Sequence, residues 1–149
     1  MTRAEDFVRR FGEYWSAPDP SRLGELLTDD VTLAQPLSPT THGLEAARGA
    51  FRRLLGQFPD LCATVDRWRG DDEYVFIEFR LRTTLGSSVV EWPAVDRFTL
   101  RGEKASERVS YFDALPLLGK LMRHPIAAWR ATRGRAAAQL LTDSARSRT

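Results

Sequence analysis

Cysteine and histidine are scarce in this chain, and asparagine is missing altogether: its 149 residues hold one Cys and two His. A single cysteine, Cys62, excludes an internal disulfide and suits a reducing compartment. Cys62, His42 and His124 are too few for a structural zinc site, so neither a metal nor another cofactor is expected. Long apolar runs are lacking too, which leaves nothing able to span a bilayer. The opening residues, Met1-Thr2-Arg3-Ala4-Glu5-Asp6, lack the apolar stretch of a secretory signal, and the expectation is a cytoplasmic protein. Lysine is nearly absent, with 20 of the 22 basic residues being arginine, a bias we attribute to a GC-rich coding sequence.

The remaining composition is that of a globular protein. Apolar residues make up 42% and charged residues 28%, enough for one substantial core in one soluble unit. The formal charge of +2 conceals an asymmetry. Residues 1–113 carry 15 basic and 19 acidic side chains, net −4, whereas residues 114–149 carry seven basic and one acidic, net +6. The chain therefore divides into a body, 1–113, and a basic extension, 114–149.

Hydrophobic spacing supplies the elements. Phe7, Phe11 and Tyr14, with Val8 and Trp15 beside them, predict an amphipathic helix from about Thr2 to Ser16, stopped by Pro18 and Pro20. Asp19-Pro20 reads as a cap and first position of a short second helix through Leu23, Leu26 and Leu27. Asp29-Asp30 then turns the chain into a strand, Val31 to Gln35, and Leu37 to Gly43 is expected to be a loop. A third helix carries Leu44, Ala47, Phe51 and Phe58 and ends at Pro59. Beyond it the period falls to two. Strands are expected over Leu61–Arg69 and Glu73–Thr84, and then in a hairpin from Glu91 to Asp113 around Arg101-Gly102-Glu103-Lys104. Pro93, without an N–H, implies an edge or a bulge. After Asp113 the pattern predicts a helical tail rich in Ala and Arg, ending in a disordered Ser144–Thr149.

Three helices, one early strand and a four-stranded meander make an α+β fold. The expectation is a curved, mostly antiparallel sheet forming a cone, with three N-terminal helices on one face and a C-terminal helical tail. Such a cone leaves an apolar pocket. One residue is out of place in it: Trp92, Ala94, Asp96, Phe98 and Leu100 share a strand parity, so an otherwise apolar face carries one acid. A carboxyl there is paired, solvated or held protonated, and the last is the kind used in catalysis.

Asp19, Leu23–Leu27, Thr28-Asp29-Asp30-Val31-Thr32-Leu33, Pro36 and His42-Gly43-Leu44-Glu45-Ala46 resemble the opening of SnoaL-like domains of the nuclear transport factor 2-like superfamily. Val95-Asp96-Arg97-Phe98-Thr99-Leu100, Gly102 and Ser110-Tyr111-Phe112-Asp113 are similar to that family's closing hairpin. The resemblance covers roughly Ala4 to Leu118. It implies a cone-shaped α+β barrel with an apolar pocket and a homodimer packed through the open sheet, without implying one activity. Family members include ketosteroid isomerases, polyketide cyclases, epoxide hydrolases, dehydratases and non-enzymatic adaptors. By that resemblance Asp96 falls where ketosteroid isomerases keep a protonated oxyanion-hole acid. Their general base corresponds to Gln35, which takes no proton, and their helical tyrosine to Phe11, with Tyr14 one turn later. Epoxide hydrolases of this family carry an acid where this chain has Ser110, and Glu78-Phe79-Arg80 is not their Arg-x-Asp. Neither catalytic set is intact.

The candidate catalytic residues are accordingly Asp96, His42 and Asp113. Asp96 either serves a ligand or is a buried acid paired with Arg80, Arg82 or His42. His42 is a pocket base or a hydrogen-bonded loop residue, and Asp113 an acid–base group or the cap of the tail helix. Gln35 orients a ligand or satisfies backbone. Phe11, Tyr14, Trp15, Phe51, Phe58, Trp92, Phe98 and Tyr111 are the expected pocket walls. The expected partner is a small apolar or polyketide-like molecule, acted on by cofactor-free cyclisation, isomerisation, dehydration or hydrolysis. The alternative is a non-catalytic binding or adaptor module. The tail packs on the body or a dimer partner, or lies on an anionic membrane surface; no groove-reading motif supports nucleic acid.

Overall fold

The computed structural model describes residues 1–113, so every expectation for the 114–149 extension, including the tail helix that Asp113 would cap, lies outside the described residues. The body opens with α1 (Arg3–Ser16), closed at its start by a capping box: Thr2 Oγ1 accepts from the Glu5 N–H at 3.1 Å, and Glu5 accepts from the Thr2 N–H at 2.6 Å. Its apolar stripe (Ala4, Phe7, Val8, Phe11, Tyr14 and Trp15) is buried. The expected second helix is a 3-10 helix, Pro20–Glu25, with Asp19 accepting from the Ser21 N–H at 2.8 Å. Six residues led by proline are too few for stable α-helix, and the tighter winding suits a short connector. The three expected helices are thus two α-helices and one 3-10 helix.

β1 (Leu27–Ala34) begins four residues earlier than its apolar run, so Asp29 and Asp30 lie within the strand. Both acids face solvent, which is why they read as a turn. Thr41–His42 forms β2, a two-residue strand antiparallel to β1 within the expected loop. α2 (Leu44–Gln57) follows Gly43, whose φ of 86° favours glycine. The meander is β3 (Cys62–Gly70), β4 (Tyr74–Leu85), β5 (Ser88–Arg101) and β6 (Lys104–Tyr111).

The strands form one six-stranded sheet in the order β2-β1-β6-β5-β4-β3. It is mixed, because β1 runs parallel to β6 while the other neighbours are antiparallel, and it is not closed. Helices pack on one face. There Phe7 and Phe11 of α1 meet Phe98 edge-on at 5.0 and 5.4 Å, and Phe11 meets Phe79 at 5.3 Å. Each such pair adds about 0.5–1.5 kcal/mol to the burial of its rings. Arg10 ties the helix down further by donating to the carbonyls of Glu25 and Glu103.

Pro93 causes no bulge. It pairs in unbroken register with Arg80 of β4, at a point where β5 has outrun β6, whose last pair is Val95–Tyr111. It is an edge position. Register shifts lie elsewhere: in β3 between Val65 and Arg67, in β1 between Leu27 and Thr32 where it pairs with β6, and in β6, where Ser106 is inserted between the pairs Leu100–Ala105 and Thr99–Glu107. No helix among the described residues is long and apolar enough to cross a membrane.

Candidate functional site

Between α2 and the inner face of the sheet lies a cavity of about 190 Å³. Among the described residues its wall includes six expected positions: Trp15 from α1, Gln35 just past β1, Phe51 from α2, Phe58 after it, and Trp92 and Asp96 from β5. Each is delivered by the period of its own element. Trp92, Ala94 and Asp96 alternate inward along β5, and Leu33 and Gln35 continue the inward parity of Val31.

The structure places the remaining expected residues elsewhere. Phe11, Tyr14 and Phe98 are buried deeper, around a separate void of about 20 Å³. They are core because the rings of α1 pack directly onto Phe79 of β4 and Phe98 of β5 there. The Tyr14 hydroxyl has no hydrogen-bond partner among the described residues, and burial pushes its pKa up. A void of that size admits about one water. Tyr111 is 52% exposed on the opposite face of the sheet. His42 is exposed and sits 3.4 Å from Thr32 Oγ1, because the β1–β2 register turns Thr41 inward and His42 outward. Asp113 is exposed at the end of the described chain and does not line the cavity.

Asp96 is 1% exposed. Its Oδ1 accepts from Ser110 Oγ at 2.6 Å, and its Oδ2 faces Arg108 Nε at 3.7 Å. Burial raises the carboxyl above its ordinary value, opposed by the Arg108 charge and then by the Ser110 hydroxyl. The partner is therefore Arg108, on the adjacent strand, in place of Arg80, Arg82 or His42. Arg80 is held by Asp66 on the outer face at 2.8 Å. Arg108 is 7% exposed, donates through Nη2 to Gln35 Oε1 at 2.8 Å, and lies 5.7 Å over the Phe51 ring. A chain of polar contacts thus runs Gln35, Arg108, Asp96, Ser110 along one apolar wall.

Sequence reasoning missed Arg108, and the bulge explains why. Strict alternation from the buried Ala105 would turn Glu107, Val109 and Tyr111 inward. The extra residue Ser106 reverses the parity, so Arg108 and Ser110 point into the core and Tyr111 points out. A signal was present: Glu107, Val109 and Tyr111 as an inner face would bury an acid beside Phe98. Chemically the arrangement offers a hydrogen-bonded acid and a cation at an apolar wall. Among the described residues no group of three or more His, Cys, Asp or Glu side chains is placed to hold a metal ion.

The family pattern of the SnoaL-like domain matches residues 8–108. No curated protein sequence matches the chain. Solved structures share its fold. A SnoaL-like polyketide cyclase candidate from Jannaschia sp. CCS1 is 23% identical, covers 78% of this chain and 89% of its own, and superposes with a TM-score of 0.67. A polyketide cyclase candidate from Acidithiobacillus ferrooxidans is 14% identical over 83% of this chain and 96% of its own, with a TM-score of 0.72. TerC, co-crystallised with polyporic acid, is 13% identical over 79% and 97%, with a TM-score of 0.71. Identities this low carry the fold and not the reaction. The family pattern spans most of the body, and the chain belongs to the SnoaL-like domain family.

Proposed function

We propose that the cavity binds a small, largely apolar molecule of polyketide-like chemistry, and that Asp96 exchanges a proton with a carbonyl or ring oxygen of it. The observation that carries this reading is a buried carboxyl on the wall of an apolar cavity, hydrogen-bonded by Ser110 at 2.6 Å and raised in pKa by burial. Protonated, such a carboxyl donates a hydrogen bond to a developing oxyanion; ionised, it takes up a proton. Gln35 orients the ligand at the rim. The chemistry is cofactor-free acid–base catalysis, such as cyclisation or isomerisation. Neighbours of the same fold described as polyketide cyclase candidates, and one crystallised with polyporic acid, support the substrate class.

The test is a calorimetric screen of small aromatic ketones and lactones against the native protein and Ala50→Trp, which fills the cavity from α2. Binding lost in the variant supports the reading; binding indifferent to it overturns the cavity as the site. For a turned-over ligand, Asp96→Asn is expected to lower kcat by about 100-fold or more. Unchanged turnover removes Asp96 from proton transfer.

A second reading, a non-catalytic binding module, is favoured by the Asp96–Arg108 pair, which draws the acid toward a structural role. It predicts ligand binding without turnover. For the partner, a homodimer through the outer sheet face is proposed, where Tyr74, Phe76, Val89 and Tyr111 are exposed.

A further inference from the structure

We infer that the cavity selects ligands bearing an anionic oxygen, a carboxylate or enolate, and that Arg108 recognises it. The inference rests on the cavity being the binding site and names the chemical class it takes. Arg108 is turned inward by the Ser106 bulge and is 7% exposed on the cavity wall. A guanidinium carries five N–H donors and is charged at any working pH. Here Nη2 donates to Gln35, whereas Nε is buried with no hydrogen-bond partner among the described residues. Asp96 does not satisfy it: the 3.7 Å separation is an ion-pair distance, beyond hydrogen-bond reach. The Asp96 Oδ1 is already engaged by Ser110.

A buried cation with an unused donor is costly unless something supplies an acceptor. The planar fork fits a carboxylate or a pair of vicinal oxygens better than a single neutral carbonyl. Burial also favours the neutral form of Asp96, which weakens the internal counter-ion. The apolar remainder of the wall sets the body of the ligand. A cavity of roughly 150 Å³ accepts benzene, so about 190 Å³ accommodates one or two fused rings with a small acidic substituent.

The experiment compares 2-naphthoate with 2-naphthamide, alike in shape and different in charge, by calorimetry at neutral pH. In the native protein naphthoate is expected to bind roughly tenfold tighter or more, as for a hydrogen bond to a charged group. In Asp96→Asn, which is neutral at every pH, the preference is expected to be at least as large as in the native protein. In Arg108→Gln it is expected to fall to about one, with naphthamide still bound. Equal affinities in the native protein overturn the inference while leaving the cavity intact as a binding site. So does a preference retained in a folded Arg108→Gln protein, or one abolished in Asp96→Asn. Binding of neither probe overturns the cavity reading and the inference with it. Should Arg108→Gln fail to fold, the native ratio and its persistence in Asp96→Asn decide.

Discussion

Asp96 is governed by two opposed effects whose balance has a measurable sign. Burial lifts its pKa above the ordinary 3.8, while Arg108 and Ser110 pull it down, and burial is the larger. The folded state therefore holds the proton more tightly than the unfolded chain does. Its contribution to stability is fully present below pH 3.8 and is lost as pH rises through the folded value. Asparagine stays neutral throughout. Asp96→Asn is accordingly expected to gain stability relative to the native protein between pH 4 and pH 7, measured by urea midpoints at both values. A relative loss over that range would show that the Arg108 pair outweighs burial. The two arms of this residue's environment came from different sources. Its inward parity on β5 was legible in the spacing of Trp92, Ala94, Phe98 and Leu100. Its partner was not, because Arg108 reaches it across a strand boundary after a bulge that no single-strand period contains.

At the level of elements, the hairpins depend on a few backbone positions. Gly70 ends β3 where the chain turns back into β4. A Cβ added there would lie 2.0 Å from the Tyr74 carbonyl oxygen and 2.7 Å from Val75 Cα. Backbone cannot yield as a flexible side chain does. Gly70→Ala is expected to cost about 2 kcal/mol or more, read as a lowered denaturation midpoint. A midpoint unchanged within about 0.5 kcal/mol would mean that the β3–β4 turn relaxes freely. Asp60 acts in a similar place at the other end of β4, accepting from Thr83 Oγ1 at 2.6 Å and from the Thr84 N–H at 3.0 Å. These bonds, that from Thr83 first, hold its carboxyl down to about 2. Elements of strong period were legible: α1, α2 and the meander β3–β6 all fall close to their expected places. The misreadings were local. The Asp29-Asp30 pair reads as a turn because polar side chains mark turns more often than solvent-facing strand, and β2 is too short to carry any period.

For the whole molecule, the sheet has two unlike faces. The inner one carries the aromatic cluster and the cavity. The outer one bears ion pairs such as Arg67–Glu78 and Arg97–Glu107 among exposed apolar side chains, Phe76 being 46% exposed. Sedimentation equilibrium is expected to give twice the chain mass of 16.9 kDa, reduced to the single-chain mass by Phe76→Glu together with Tyr111→Glu. A native protein that sediments as a monomer would remove the outer face as a subunit contact.

The sequence determined by itself which residues face inward within each strongly periodic element, because side-chain direction follows the local repeat of helix or strand. That was enough for the α+β class, for the aromatic walls at Trp15, Phe51 and Trp92, and for Asp96 as the anomalous acid. Only the tertiary structure decided which inward residues meet. Register across strands depends on insertions such as Ser106, and one residue exchanges the two faces of everything that follows. Arg108 and Ser110 thereby joined the site, while Tyr111 left it. Phe11, Tyr14 and Phe98 became core and not wall because helix placement over the sheet, a long-range packing outcome, determines which part of an apolar surface is covered.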